Sequence, residues 1–308
     1  MPLLLGEVDI LEDDLVKAVP GVLDILLRDR TTGRNILWGT EDYAALGHHA
    51  QDEIRLEAIT GANGRVIRPR TAKAAHVQRR RSVERAEVFT PAWVVNAQND
   101  LIDAAWFGHP SPFTVPTAGG RAWEPTERAI PFPEGCAWRD YVRLPRLEIT
   151  CGEAPYLTTR YDATDGRPIP VPERVGILDR KLRVVSENTI RDKDWMRWAK
   201  HALRATYGYD WQGDNLLLAR ENLLAAVIEA RRARFPKAAE LSRRECRELA
   251  TIISWNLWQM DGLRFVPPGY PADDDLLDNP KPAHCRILDW SDPRRPKPVF
   301  VRTLFRKG

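Results

Sequence analysis

Three short apolar runs, PRLEIT (145–150), TYGYD (206–210) and NLWQMDGL (256–263), alternate with long helix-patterned stretches in the second half of this 308-residue chain. The helical stretches lie around 173–187, over 192–205 (DKDWMRWAKHALRA), over 215–234 (NLLLARENLLAAVIEARRAR, strongly amphipathic in pattern) and over 242–254 (SRRECRELATIIS). Strand, crossover helix and next strand in that order predict an α/β fold with a largely parallel sheet covered on both faces. Ligands of such sheets bind at the carboxyl edge, so the residues that end each strand carry the functional reading. Two short β candidates, CRILDW (285–290) and KPVFVRTLF (297–305), close the chain.

The first part has a different texture. VLDILLRD and RNILWGT flank the turn Arg30-Thr31-Thr32-Gly33, and IRLEAIT and RVIRPR flank Gly61-Ala62-Asn63-Gly64, which predicts two hairpins over residues 20–70. Two regions are therefore expected: a β-rich N-terminal region, 1–85, and an α/β domain, 86–308. Residues 65–85 hold eight Lys/Arg against one acid, with Arg79-Arg80-Arg81 at the centre. Such a strip is either a solvated face or a grip for phosphate backbones. The chain as a whole is balanced, 46 Lys+Arg against 43 Asp+Glu, so net charge alone compels no nucleic-acid partner.

Several classes are excluded. No run approaches the roughly 18 consecutive apolar residues of a membrane span, and the acidic start MPLLLGEVDILEDD does not read as a signal peptide, so a cytoplasmic location is expected. Four separated cysteines give neither a disulfide framework nor a zinc site, and His48-His49 stand without a metal-binding spacing; no metal is expected. Eleven tryptophans imply an aromatic core with some flat binding surface.

At the strand ends, Gly152 would let a ligand approach the backbone after the first run. Asp210 ends the second, where a carboxylate can accept from both hydroxyls of a ribose. Asp261 follows the third, where it can accept from an adenine amino group. Thr90-Pro91 opens a predicted helix, PAWVVNAQNDLIDAAW, with Thr90 as its cap and Val94, Val95, Leu101, Ile102 and Ala105 on or near its buried side. Its N-terminus would favour a carboxylate. An adenosine site beside a carboxylate site describes S-adenosylmethionine. A dinucleotide would want a G-x-G-x-x-G loop, whereas Gly152 is followed here by Glu153.

The same segments resemble the adenine-N6 DNA methyltransferases of restriction-modification systems, chains labelled restriction endonuclease subunit M. Ala86-Glu87-Val88-Phe89-Thr90-Pro91 is similar to their Gly-x-Phe/Tyr-Thr-Pro element, and EITCGEAPYL (148–157) to their Asp-Pro-Ala-Cys-Gly-Ser-Gly-x-Phe-Leu loop. YGYDWQGDNLL and NLWQMDGL resemble the strands whose acids hold ribose and adenine. The resemblance covers about residues 86–265. It implies a Rossmann-like S-adenosylmethionine-dependent methyltransferase sheet, incomplete or permuted, with DNA as partner and Phe89, Thr90, Pro91, Glu148, Cys151, Gly152, Asp210 and Asp261 at the cofactor. Arg79, Arg80 and Arg81 would face nucleic acid.

Two departures qualify that expectation. Glu153 and Ala154 replace Ser-Gly in the loop, adding charge and bulk. The Asn/Asp-Pro-Pro-Tyr/Phe segment that aims the target amine at the methyl group does not occur after Asp261. In a permuted order, Ile36 to Tyr43 (ILWGTEDY) would supply it, with Thr40 at the amine and Tyr43 stacked on the base. The alternative is a catalytically incomplete cofactor- and DNA-binding subunit or regulator that needs a partner chain.

Overall fold

The computed structural model describes residues 8–85, 90–270 and 284–305. In the first segment the chain forms helices α1 (Glu12–Ala18), α2 (Val22–Leu27), α3 (Leu56–Ile59) and α4 (Ala75–Arg85). The β-rich reading of residues 20–70 is corrected here. VLDILL buries Val22, Leu23, Leu26 and Leu27, a spacing that puts all four on one helical face, and α2 packs that face on a later helix. A short apolar run fits either period, and the packing partner decides. The Arg30–Gly33 turn does form, with the Gly33 amide donating to the Asp29 carbonyl at 2.9 Å, but its flanks pair only at the single bridge Arg28–Asn35.

The remainder runs α5 (Ala92–Phe107), a hairpin of β1 (Thr114–Thr117) and β2 (Ala122–Pro125), α6 (Trp138–Arg143) and β3 (Arg146–Glu148). Then follow α7 (Ile177–Asn188), α8 (Asp192–Arg204), β4 (Thr206–Asp210), α9 (Gly213–Arg234), α10 (Arg243–Asn256) and β5 (Leu257–Gln259). An antiparallel pair, β6 (Arg286–Asp289) and β7 (Lys297–Phe300), comes last. β3, β4 and β5 form one parallel sheet in sequence order, with Arg146 opposite Thr206 and Gly208 opposite Leu257. The fold is thus mixed α/β around a three-stranded parallel sheet. No described helix is long and apolar enough to cross a membrane.

Helix α9 is buried almost all round, not along one stripe as its pattern predicts. Part of the explanation lies in its basic residues, which are spent on neighbouring elements. Arg220 donates to the carbonyls of Leu26 and Leu257, and Arg231 pairs with Asp192 at 2.6 Å. One hydrophobic core therefore runs from Ile10 through α2 and the sheet to Leu257, so residues 8–85 share their interior with the α/β part.

Helix α5 also turns a different face inward. Its buried residues include Asn96, Asn99 and Asp103, while Leu101, Ile102 and Ala105 are exposed. The cause is Arg180 of α7, which is buried against α5 and donates to Asp103 at 2.6 Å, Asn96 at 2.8 Å and Asp100 at 2.9 Å. A desolvated guanidinium must be paired, so a polar stripe of α5 faces in beside Val95, which is buried as expected, while Leu101, Ile102 and Ala105 face out.

Candidate functional site

A cleft of about 530 Å³ opens at the carboxyl edge of β3 and β4, within the range of small-molecule sites. Its floor is the loop that follows β3. Thr150 (φ 48°), Gly152 (φ 53°) and Ala154 (φ 64°) all take the left-handed region within five residues. For the two non-glycine residues this costs roughly 1–3 kcal/mol each, and the loop persists because its amides are pinned. The Cys151 amide donates to the Tyr209 carbonyl at 2.8 Å, that of Gly152 to Asp210 Oδ2 at 2.8 Å, and that of Ala154 to the Cys151 carbonyl at 2.7 Å. A Cβ on Gly152 would meet nothing within 4 Å, so its backbone faces open space. Across the sheet, a Cβ on Gly208 would come within 3.3 Å of Cys151, which fixes that position as the seat for the buried thiol.

Thr90, Glu148, Cys151, Gly152 and Asp210 all line this cleft, gathered from three segments that the chain separates by 120 positions. Asp210 is buried and braces two loops at once, since Oδ1 accepts from the Gln212 amide at 2.8 Å while Oδ2 holds Gly152. Burial raises the Glu148 carboxyl well above its ordinary range, and the charge of Asp210 adds to the effect; the amides of Tyr156 and Leu157 pull the other way. Its Oε2 is sealed from solvent without a hydrogen-bond partner, as is Oδ1 of Asn99, another lining residue. Burial likewise pushes the Cys151 thiol far up, leaving it an unreactive packing group.

The chain matches no family model, and no curated protein or solved structure is similar to it.

Other expected residues lie elsewhere. Thr90 is not the cap of α5; Pro91 occupies that position, and the Ala92 amide donates to Asp162 at 2.9 Å. The seat expected for a ligand carboxylate at this helix N-terminus thus receives the protein's own acid. Asp261 does not line the cleft. β5 ends at Gln259, and the Asp261 carboxylate closes a local turn by accepting from the amides of Leu263 (2.8 Å) and Arg264 (3.0 Å). Phe89 lies outside the described residues.

Thr40 and Tyr43, the expected acceptor pair, are both buried and away from the cleft lining. The Thr40 hydroxyl accepts from the Asp42 amide at 3.3 Å. Tyr43 packs on Trp38, with ring centroids 4.4 Å apart, and donates to Asp214 at 2.8 Å. Asp214, at the start of α9, also pairs with Lys73 at 3.1 Å and Arg81 at 2.7 Å. Arg81 is therefore buried and cannot face nucleic acid; Arg80 pairs with Asp42 at 2.5 Å, and Arg79 is exposed. Glu153 adds no charge at a ligand's side in the way expected. Its carboxylate accepts from the Arg70 amide and the Tyr161 hydroxyl, both at 2.6 Å.

Trp211, Gln98, Ile102 and Tyr156 are lining residues that strand-end reasoning missed. Trp211 is 39% exposed, and its indole N–H donates to the Gly39 carbonyl at 3.0 Å, which holds a flat ring at the rim. Its place directly after Asp210 was the available signal. Gln98 and Ile102 belong to the face of α5 that its apolar pattern wrongly turned inward.

Proposed function

We propose that the cleft binds S-adenosylmethionine and that the chain is a methyltransferase-like modification protein acting on adenine N6 of DNA. The observation that carries this reading is the convergence of Thr90, Glu148, Gly152 and Asp210 on one cleft at the carboxyl edge of a parallel sheet. The residues present fit the group. Gly152 leaves the backbone open to close approach, and Asp210 stands where ribose hydroxyls can donate to it. The exposed indole of Trp211 offers a face for a purine. When bound, the cofactor supplies an activated methyl group. The chain's own residues would bind it, orient it and exclude water, and positioning of that kind is the main source of rate for such a transfer.

A second reading, a cofactor- and DNA-binding subunit that needs a partner chain for the acceptor base, is favoured by the position of Tyr43. Its hydroxyl and ring are both engaged in the interior, and among the described residues no acceptor segment lines the cleft. Transfer of labelled methyl to DNA by the purified chain separates the two. Transfer by the chain alone supports the enzyme. Silence alone, with transfer restored by a partner polypeptide, supports the subunit. Silence under both conditions contradicts the methyltransferase reading.

A further inference from the structure

The basic strip of residues 65–85 is divided by the fold into an inner and an outer set. Lys73 and Arg81 turn inward to Asp214. On the outer side of that wall lies a second cavity, of about 540 Å³, lined by Arg65, Arg68, Lys73, Arg80 and Arg81, with Asp42 the one acid among its lining residues. Asp42 and Asp214 together account for Arg80, Arg81 and Lys73. Arg65 and Arg68 have no ion-pair partner among the described residues, although Arg68 Nε is fixed by the Arg65 carbonyl. Arg65 itself is held at φ 70°, a conformation that costs a non-glycine residue roughly 1–3 kcal/mol. Two exposed arginines thus stand at a cationic cavity without an ion-pair partner among the described residues, and an anion would neutralise them.

A lining residue of the second cavity is bonded to a lining residue of the first. Arg81 donates to Gln212 and Asp214, and Gln212 and Asn215 line the cleft on the other side. We propose that the second cavity holds a phosphate group through Arg65 and Arg68, and that this phosphate is a backbone diester of a nucleic-acid strand whose neighbouring nucleotide reaches the cleft. The choice of a backbone phosphate over a free one rests on the function proposed above; the phosphate site itself rests on the cavity and its charges. It replaces Arg81 as a nucleic-acid contact, since that side chain is spent inside the protein, while Arg80 is exposed but paired with Asp42.

The test is fluorescence anisotropy of a labelled oligonucleotide, as single strand and duplex, across a salt series. Arg65→Ala/Arg68→Ala is compared with wild type and with Arg191→Ala/Arg197→Ala, which removes the same charge from exposed positions on or beside α8. The expected result is at least tenfold weaker binding for the first variant, with the slope of log affinity against log salt reduced by about 2, and less than twofold change for the second. Unchanged binding in the first variant, or equal losses in both, overturns the site. Inorganic phosphate is the competing probe: saturation at micromolar phosphate with no oligonucleotide binding overturns the backbone source and leaves a free phosphate as occupant. Titration of the same variants with S-adenosylmethionine keeps the two proposals separable. Arg65 and Arg68 do not touch the cleft, so cofactor affinity is expected to be unchanged whichever way oligonucleotide binding falls.

Discussion

Two buried carboxyls in this protein are driven in opposite directions, and the reason is local. Asp214 is surrounded by Lys73, Arg81 and the Tyr43 hydroxyl; burial works against its charge, yet these partners hold its carboxyl well below the ordinary range. Glu148 has no cation, and burial beside Asp210 raises its carboxyl well above. The signs for stability follow. A depressed carboxyl contributes stability above its unfolded value near 4 that is lost as pH falls through the folded one, so Asp214 supports the fold at neutral pH. A raised carboxyl acts the other way. Glu148 binds its proton more tightly in the folded state, so its presence costs stability increasingly as pH rises from its unfolded value toward its folded one. Glu148→Gln is therefore expected to raise the urea midpoint relative to wild type, with a gap that widens between pH 5 and pH 8. A gap that does not change with pH would contradict this placement of Glu148. The acid at position 148 entered through the resemblance; its proton state was not legible, because that depends first on burial and then on Asp210 arriving from 62 positions away.

Among the elements, α9 joins the parts, and its N-terminus is the tightest point. A Cβ on Gly213 would fall 1.9 Å from the Leu37 carbonyl oxygen, and the Gly213 amide donates to the Trp38 carbonyl at 3.0 Å. Gly213→Ala is expected to destabilise the fold by at least about 2 kcal/mol, because backbone cannot yield as a flexible side chain can. Asp214→Ala is expected to cost about 3–5 kcal/mol, since it strands Arg81 and Lys73 in the interior. Urea unfolding reads both, and losses below 1 kcal/mol would show that residues 8–85 are not anchored through this point. The sequence revealed the helix over 215–234 because its period repeats over several turns, and the three short strands and their order because they alternate with such helical stretches. It misassigned α2 and the inward face of α5. In the first case a six-residue apolar run suits either period, and in the second the buried face is chosen by Arg180, which belongs to a helix 70 residues further on.

For the whole molecule, the question is whether a single core carries a cofactor site. The cleft joins the loop after β3, the end of β4 and the start of α5, and Gly152 and Asp210 stand bonded to each other at its centre. Gly152 and Asp210, which a strand-end reading singles out, meet there with Glu148 and Cys151, which the resemblance added, because parallel strands present their carboxyl ends on one side. Asp261 does not, because β5 stops at Gln259 and the chain turns before reaching the edge. Thr40 and Tyr43 do not line the cleft: Tyr43 looks like a stacking aromatic in sequence, whereas its hydroxyl donates to Asp214 and its ring packs on Trp38. Isothermal calorimetry with S-adenosylmethionine tests the central claim most directly. Wild-type protein is expected to bind saturably, and Asp210→Ala to bind at least tenfold more weakly while remaining folded by circular dichroism. No heat above dilution with the wild type, or the same affinity in Asp210→Ala, would contradict the assignment of this cleft.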